Sequence, residues 1–262
     1  MEDNQEVKEI QIGEPGKAVG EPTKLSTPVA ILLAGAMITL AVVFTHYAPS
    51  QPAPTISDPT TAGQIVPTTP TPAPAAVNIK NVSTESDPYI GNPNAKVTIA
   101  YWSDYQCPYC KMFETTVLPS VITKYVDTGE AKIVFKDFSF LGPDSDTAAL
   151  NARAIWNLYP AQYFAWRTAM FKAQDQEGNV GFGNQASITK LTGTISGIDV
   201  NKVAQAISKN QTQYKSAIDA DRAEGESFGV QGTPGFIIGT QLITGVDTLA
   251  NFSKAIDTAA GK

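Results

Sequence analysis

The feature that most constrains this chain is the placement of its only two cysteines, Cys107 and Cys110, among 262 residues. They fall where a β-rich apolar run, residues 96–103, gives way to apolar residues at helical spacing. A thiol at a helix N-terminus faces unpaired backbone N–H groups and the positive end of the helix dipole, so its thiolate is favoured. Pro108 suits the first helical position, where the N–H it lacks would have had no partner. Cys110, one turn on, can then displace a mixed disulfide formed at Cys107. Two structural readings compete. A bridge closing so short a loop removes only about 2 kcal/mol of unfolded-state entropy, a poor staple. A zinc site wants four Cys or His ligands, and the one histidine, His46, sits at the edge of an apolar segment. The strand, Cys-Pro-x-Cys and helix together point to redox chemistry.

The compartment in which such a pair works is read from residues 25–47, which hold no Lys, Arg, Asp or Glu. Their core, residues 29–44, is almost wholly apolar and has no polar face. As a helix at about 1.5 Å per residue it spans roughly the 30 Å hydrocarbon layer. The competing reading is a cleaved signal peptide. The long, acid-rich stretch before it and the want of a small-x-small site directly after it favour an anchor. Lys17 and Lys24 precede the span, and the next basic residue beyond it is Lys80. The N-terminus is therefore expected in the cytoplasm and the cysteines outside, where disulfides persist.

Residues 1–24 read as a disordered cytoplasmic tail, polar and without apolar periodicity. Residues 48–84, rich in Pro, Thr and Ala, read as an extended stalk. A net charge of −6 gives no basic footprint for nucleic acid. The folded domain is expected over 85–262, in the order strand, helix, strand, helical block, helix, hairpin, helix. Phe113, Val117, Val121 and Tyr125 make one buried face of the first helix, which Pro119 should kink near Thr115. The second strand, residues 131–135, implies a parallel crossover pairing with the first. A helical insertion of about 143–210 follows; its aromatic residues Trp156, Tyr163, Phe164, Trp166 and Phe171 read as helix packing rather than a substrate platform. Residues 199–208 and 211–228 read as separate helices, and Asp247 as the cap of the last one.

The block Ser103-Asp104-Tyr105-Gln106-Cys107-Pro108-Tyr109-Cys110-Lys111-Met112-Phe113-Glu114, with Gly232-Thr233-Pro234-Gly235-Phe236 downstream, resembles the DsbA-like thiol–disulfide oxidoreductases of the thioredoxin superfamily. More narrowly, it is similar to their membrane-anchored bacterial members. The resemblance covers residues 85–262 and implies an α/β thioredoxin-like fold with a helical insertion, here preceded by one transmembrane helix and a Pro/Thr-rich stalk. It implies a redox-active Cys107–Cys110 disulfide, with Cys107 the exposed nucleophile and Cys110 the resolving thiol. Pro234 would be the cis-proline against that pair, and Thr233 would offer backbone groups to an extended substrate peptide. No cofactor or metal is implied.

Asp104 and Glu114 are candidates to relay the Cys110 proton. Each also reads as a solvated charge, and Glu114 as an acid complementing the helix dipole. Tyr109 stands where the best-known oxidase of the family has histidine, so no positive charge is added beside the thiolate. The function expected is a membrane-tethered, extracytoplasmic oxidase that puts disulfides into reduced or unfolded exported proteins and is reoxidised by a membrane partner. A reductase or isomerase of the same fold, and a non-catalytic thioredoxin-like binding module, are the alternatives.

Overall fold

The computed structural model describes residues 77–175 and 181–262. The tail, the membrane span at 25–47 and most of the stalk expected from the sequence lie outside the described residues. Among the described residues no helix is long and apolar enough to cross a membrane.

Five strands form one mixed sheet: β1 (Tyr89–Gly91), β2 (Val97–Ser103), β3 (Ala131–Asp137), β4 (Gly235–Ile238) and β5 (Gln241–Thr244), ordered β1-β3-β2-β4-β5. β2 lies at the centre. It runs parallel to β3, with Tyr101 opposite Phe135, and antiparallel to β4, with Tyr101 opposite Phe236. Because side chains alternate along a strand, Val97, Ile99 and Tyr101 enter one core while Ala100 and Trp102 enter another. This two-sided burial is why β2 is mostly apolar rather than alternating, with Ile99, Ala100, Tyr101 and Trp102 consecutive and all buried.

Between β2 and β3 runs the helix that begins at the cysteine pair: α1 (Pro108–Met112), a π turn (Phe113–Val117), α2 (Leu118–Val121) and a second π turn (Ile122–Val126). The disturbance expected from Pro119 takes the form of that first π turn, in which the Leu118 N–H donates to the Phe113 carbonyl. Phe113, Val117, Val121 and Tyr125 face the sheet, with α7 (Leu249–Ala260) closing the same core.

The insertion consists of α3 (Pro143–Leu158), α4 (Pro160–Ala173), α5 (Gln185–Thr192) and the first part of α6 (Val200–Ser227). Trp166, Tyr163 and Phe171 are buried together with Tyr105, as ordinary packing requires. α6 replaces the two helices expected there; its backbone leaves helical geometry only at Asn210, φ −114 and ψ 17, and then resumes. Near its end Gly225 lets β2 approach: a Cβ there would lie 2.8 Å from Trp102 Nε1, which donates to the Asp221 carbonyl.

Three boundaries differ from the sequence reading. The expected stalk, 48–84, ends too late, because Ile79–Asn81 form a 3-10 turn whose Ile79 N–H donates to the Gly239 carbonyl, and Val82 is buried. β1 was not anticipated, since a three-residue edge strand shows no alternation to detect. The last helix is capped by Thr248, whose side chain accepts from Asn251 N–H; Asp247 instead accepts from the Thr248 N–H and the Asn251 amide.

Candidate active site

β2 ends at Ser103 and the chain turns through Asp104 to Gln106 before α1 starts. Asp104 builds that turn. Its carboxylate accepts from the Gln106 N–H (2.7 Å) and the Ser145 hydroxyl (2.8 Å) through one oxygen, and from the Phe140 and Leu141 N–H groups (3.0 and 3.2 Å) through the other. Burial raises its pKa, and these donors pull it back. Toward Cys110 the residue offers its backbone N–H, while its carboxylate ties the active-site turn to the loop entering α3.

Cys107 is the residue before the first helical turn, with Pro108 at the first helical position and the Lys111 N–H donating to the Cys107 carbonyl at 3.1 Å. Both cysteines are free thiols. Their environments push them apart. The Cys107 pKa is lowered to about 6, chiefly by a hydrogen bond from the Cys110 thiol and further by Thr233 and the N–H groups of Cys110 and Tyr109, with burial opposing. Cys110 is fully enclosed, and burial, with Cys107 beside it, raises its pKa well above the usual thiol value.

Cys107 is less open than the sequence suggested, at 4% exposure. The Thr233–Pro234 loop covers it: that peptide bond is cis, Pro234 is buried, and the Cys107 thiol donates to the Thr233 carbonyl at 3.3 Å. The Thr233 hydroxyl is buried beside Cys107, whose thiolate it favours, and has no other hydrogen-bond partner. Tyr109 is 59% exposed beside the pair, and Met112 and Phe140 are also exposed.

Glu114 is neither solvated nor a first-turn charge. It lies in the π turn, its side chain 4% exposed, and accepts from Arg167 Nη2 at 2.6 Å and Nε at 2.9 Å. Burial raises its pKa, while Arg167 and a contact with Tyr101 pull it down. Arg167 was missed by the sequence reading. Besides Glu114 it donates to the Tyr105 hydroxyl (3.1 Å) and Ser103 Oγ (2.9 Å), and lies 4.4 Å from the centre of the Phe135 ring. A signal was available: Tyr163, Arg167 and Phe171 share one helical face at four-residue spacing, and a lone arginine in a buried aromatic stripe needs a buried anion. Gln174, at the end of α4, donates to the Tyr105 carbonyl at 2.6 Å and accepts from Lys111, so the insertion holds the active-site turn from a second side.

The arrangement pairs an acidified thiol at a helix start with an enclosed thiol in hydrogen-bonding contact, both against a cis-proline loop. That is the equipment for thiol–disulfide exchange.

The family model described as Thioredoxin matches residues 83–258. The chain is similar to the probable disulfide bond formation protein D of Bacillus anthracis, 25% identical over 168 residues, covering 64% of this chain and 76% of that one. With disulfide bond formation protein D of Bacillus subtilis it is 24% identical over 164 residues, covering 62% and 71%. Among solved structures, oxidised BdbD from Bacillus subtilis shares the fold at TM-score 0.63 and 21% identity, covering 69% and 96% of the two chains. The thiol–disulfide exchange protein alpha-DsbA2 from Wolbachia pipientis aligns at TM-score 0.58 and 29% identity, covering 66% and 87%.

Proposed function

This chain belongs to the thioredoxin family and is a thiol–disulfide oxidoreductase, and on that basis we propose that it acts as an oxidase, introducing disulfides into exported proteins through Cys107 and Cys110. One observation carries the reading: Cys107 stands at the start of the active-site helix against the cis-proline loop while Cys110 is fully enclosed behind it, an arrangement that lowers the Cys107 pKa to about 6 and raises that of Cys110. A thiol near 6 is mostly thiolate at neutral pH, so it is both a good nucleophile and a good leaving group. Holding that anion stabilises the dithiol form and makes the disulfide the stronger oxidant.

In the proposed cycle a substrate thiolate attacks the Cys107 sulfur of the disulfide and Cys110 leaves. A second substrate thiolate then attacks the substrate sulfur of the mixed disulfide, releasing oxidised substrate and the Cys107 thiolate. The Thr233–Pro234 loop lies beside the reacting sulfur, placed to receive an extended peptide by main-chain pairing. The names of the relatives, disulfide bond formation proteins, support the oxidase direction. Extracytoplasmic placement by an anchor at 25–47, and reoxidation by a membrane partner, complete the proposal; the lack of charged residues in that span and the lysines before it support the anchor and its orientation.

A second reading is favoured by one residue. A tyrosine side chain such as Tyr109 cannot carry positive charge, so the thiolate has no cation between the cysteines, which lowers oxidising power toward an isomerase or reductase. The equilibrium potential of the pair against glutathione separates them. An oxidase gives a value near or above about −180 mV, whereas a value near about −270 mV, where thioredoxin lies, rejects the oxidase proposal.

A further inference from the structure

Gln174 ends the insertion helix α4, far in sequence from the cysteines, yet it hydrogen-bonds to the chain on both sides of Cys107. Its side-chain Nε2 donates to the Tyr105 carbonyl at 2.6 Å, two residues before Cys107, and its own carbonyl accepts from Lys111 Nζ, four residues after. The Gln174 N–H closes α4 by donating to the Met170 carbonyl, so both grips start from a fixed point. Lys111 in turn sets a cation against the C-terminal end of α4, where the helix dipole favours one.

The two stretches that Gln174 grips decide where the Cys107 sulfur lies. On the incoming side the Tyr105–Gln106 peptide is held at both ends, its carbonyl by Gln174 and its N–H by the Asp104 carboxylate at 2.7 Å. On the outgoing side α1 keeps regular geometry only from Pro108 to Met112 before the π turn begins, so no long helix fixes the angle of its first turn. Gln174 ties that turn to the incoming peptide. The amide is 3% exposed and, with Nε2 engaged by Tyr105, its Oε1 is left buried without a donor. An unpaired buried acceptor lowers stability, and a methionine of similar length would fill the space without one. A buried polar group in that state calls for a reason other than packing.

We propose that Gln174 is a positioning residue for the reaction, clasping the chain before and after Cys107 so that the sulfur stays over the first N–H groups of the active-site helix as its bonding changes. The inference rests on Cys107 being the nucleophile. Through the cycle that sulfur is bonded to Cys110, then to the substrate, then to neither, so its own bonds do not keep it in one place. The N–H groups of Tyr109 and Cys110 favour the thiolate only within hydrogen-bond reach, and such bonds weaken steeply as their angle closes. With the clasp open, the first turn of α1 shifts against the turn before it and the thiolate loses those donors. Because the glutamine side chain is neutral, its effect runs through geometry and not through charge.

The test uses the reduced full chain. Gln174→Met keeps the length and removes the donor. Followed by thiolate absorbance near 240 nm, its Cys107 midpoint should rise by about one unit. Alkylation by iodoacetamide should then slow about tenfold at pH 5, yet stay within about threefold at pH 9, where the thiolate predominates and a less acidic one is somewhat the better nucleophile. The equilibrium constant of the disulfide against glutathione should fall about tenfold, equivalent to about 30 mV. Thr192→Val is the control: it removes the hydroxyl to which Trp166 Nε1 donates at 2.9 Å, a buried bond of the same insertion, and should leave the midpoint in place. An unmoved midpoint in Gln174→Met would overturn the proposal. So would an equal shift in Thr192→Val, which marks general loosening, or equal slowing at both pH values, which marks a blocked sulfur. Lys111→Met opens the clasp from its other end and decides the matter if Gln174→Met does not fold. Its midpoint should rise as well, by an amount that persists in 1 M salt, where the screening length is about 3 Å. No rise, or one that disappears there and so reflects charge alone, would overturn the clasp. A wild-type midpoint near the ordinary 9.0 would instead remove the acidified nucleophile, and the proposed function with it.

Discussion

The Cys107 thiol donates a hydrogen bond to the Thr233 carbonyl at 3.3 Å, joining positions 126 residues apart. That bond serves the protonated sulfur only, because a carbonyl oxygen repels a thiolate. On ionisation the donor at hand is the Thr233 hydroxyl, buried and otherwise unpartnered. Thr233→Val keeps the shape and removes that donor. A hydrogen bond to a charged group contributes about 1.5 to 3 kcal/mol, so the Cys107 pKa should rise by about one unit or more. Thiolate absorbance near 240 nm, followed against pH, measures it; an unmoved midpoint would exclude the hydroxyl as a partner.

The lowered Cys107 pKa fixes a pH dependence whose sign can be worked out. Folding takes this thiol from an ordinary 9.0 to about 6. Its contribution to the stability of the dithiol form is therefore complete above pH 9 and is lost as the pH falls through 6. Cys110 has the opposite sign, but its pKa is raised, so it acts only above the ordinary thiol range. The disulfide form has neither term. Between pH 5 and pH 8 the dithiol protein should gain about 1 to 2 kcal/mol on the disulfide protein, allowing for solvent screening. Urea unfolding of both forms at the two pH values checks this, and a constant difference would contradict the assigned acidity.

A buried ion cluster fastens the start of the domain to the sheet and the insertion. Arg153 on α3 meets Asp137 at 2.6 Å, Asp87 at 2.8 Å and Asp221. Lys136 on β3 meets Asp87 and Asp221, both at 2.6 Å. Burial pushes the Asp221 carboxyl up to about 6, against the pull of Arg153. Arg153→Met would leave these carboxylates short of a partner and should cost about 3 to 5 kcal/mol at pH 8. The loss should shrink at pH 5, where Asp221 can take a proton instead. Denaturant unfolding at both pH values tests it; a loss under about 1 kcal/mol would show that the cluster adds little.

What the sequence made legible follows from the range of the forces involved. β2, β3 and the helix at Cys107 announce themselves through local periodicity, and Pro108 and Pro119 act on their own helix. Thr233 and Pro234 could be placed beside the cysteines only through a family resemblance, since nothing local in their sequence points to residues 126 positions away. Asp104 and Glu114 stand out in the sequence as acids near the cysteine pair, but whether an acid is solvated, structural or poised for a proton depends on what folds over it. For Asp104 that is the loop at Phe140 and Leu141; for Glu114 it is Arg167. The break at Asn210 read as a gap between helices because a local departure in backbone angles looks the same in sequence as a loop.

The division of labour between the two sulfurs is the claim on which the rest depends, and single-cysteine variants test it most directly. Reduced, unfolded test protein should accumulate as a mixed disulfide on Cys107 in the Cys110→Ala variant, visible as a reducible adduct on a gel and at the summed mass. Cys107→Ala should form none, because the remaining thiol is enclosed and its pKa is raised. Equal trapping by both variants, or trapping by Cys107→Ala alone, would contradict the account.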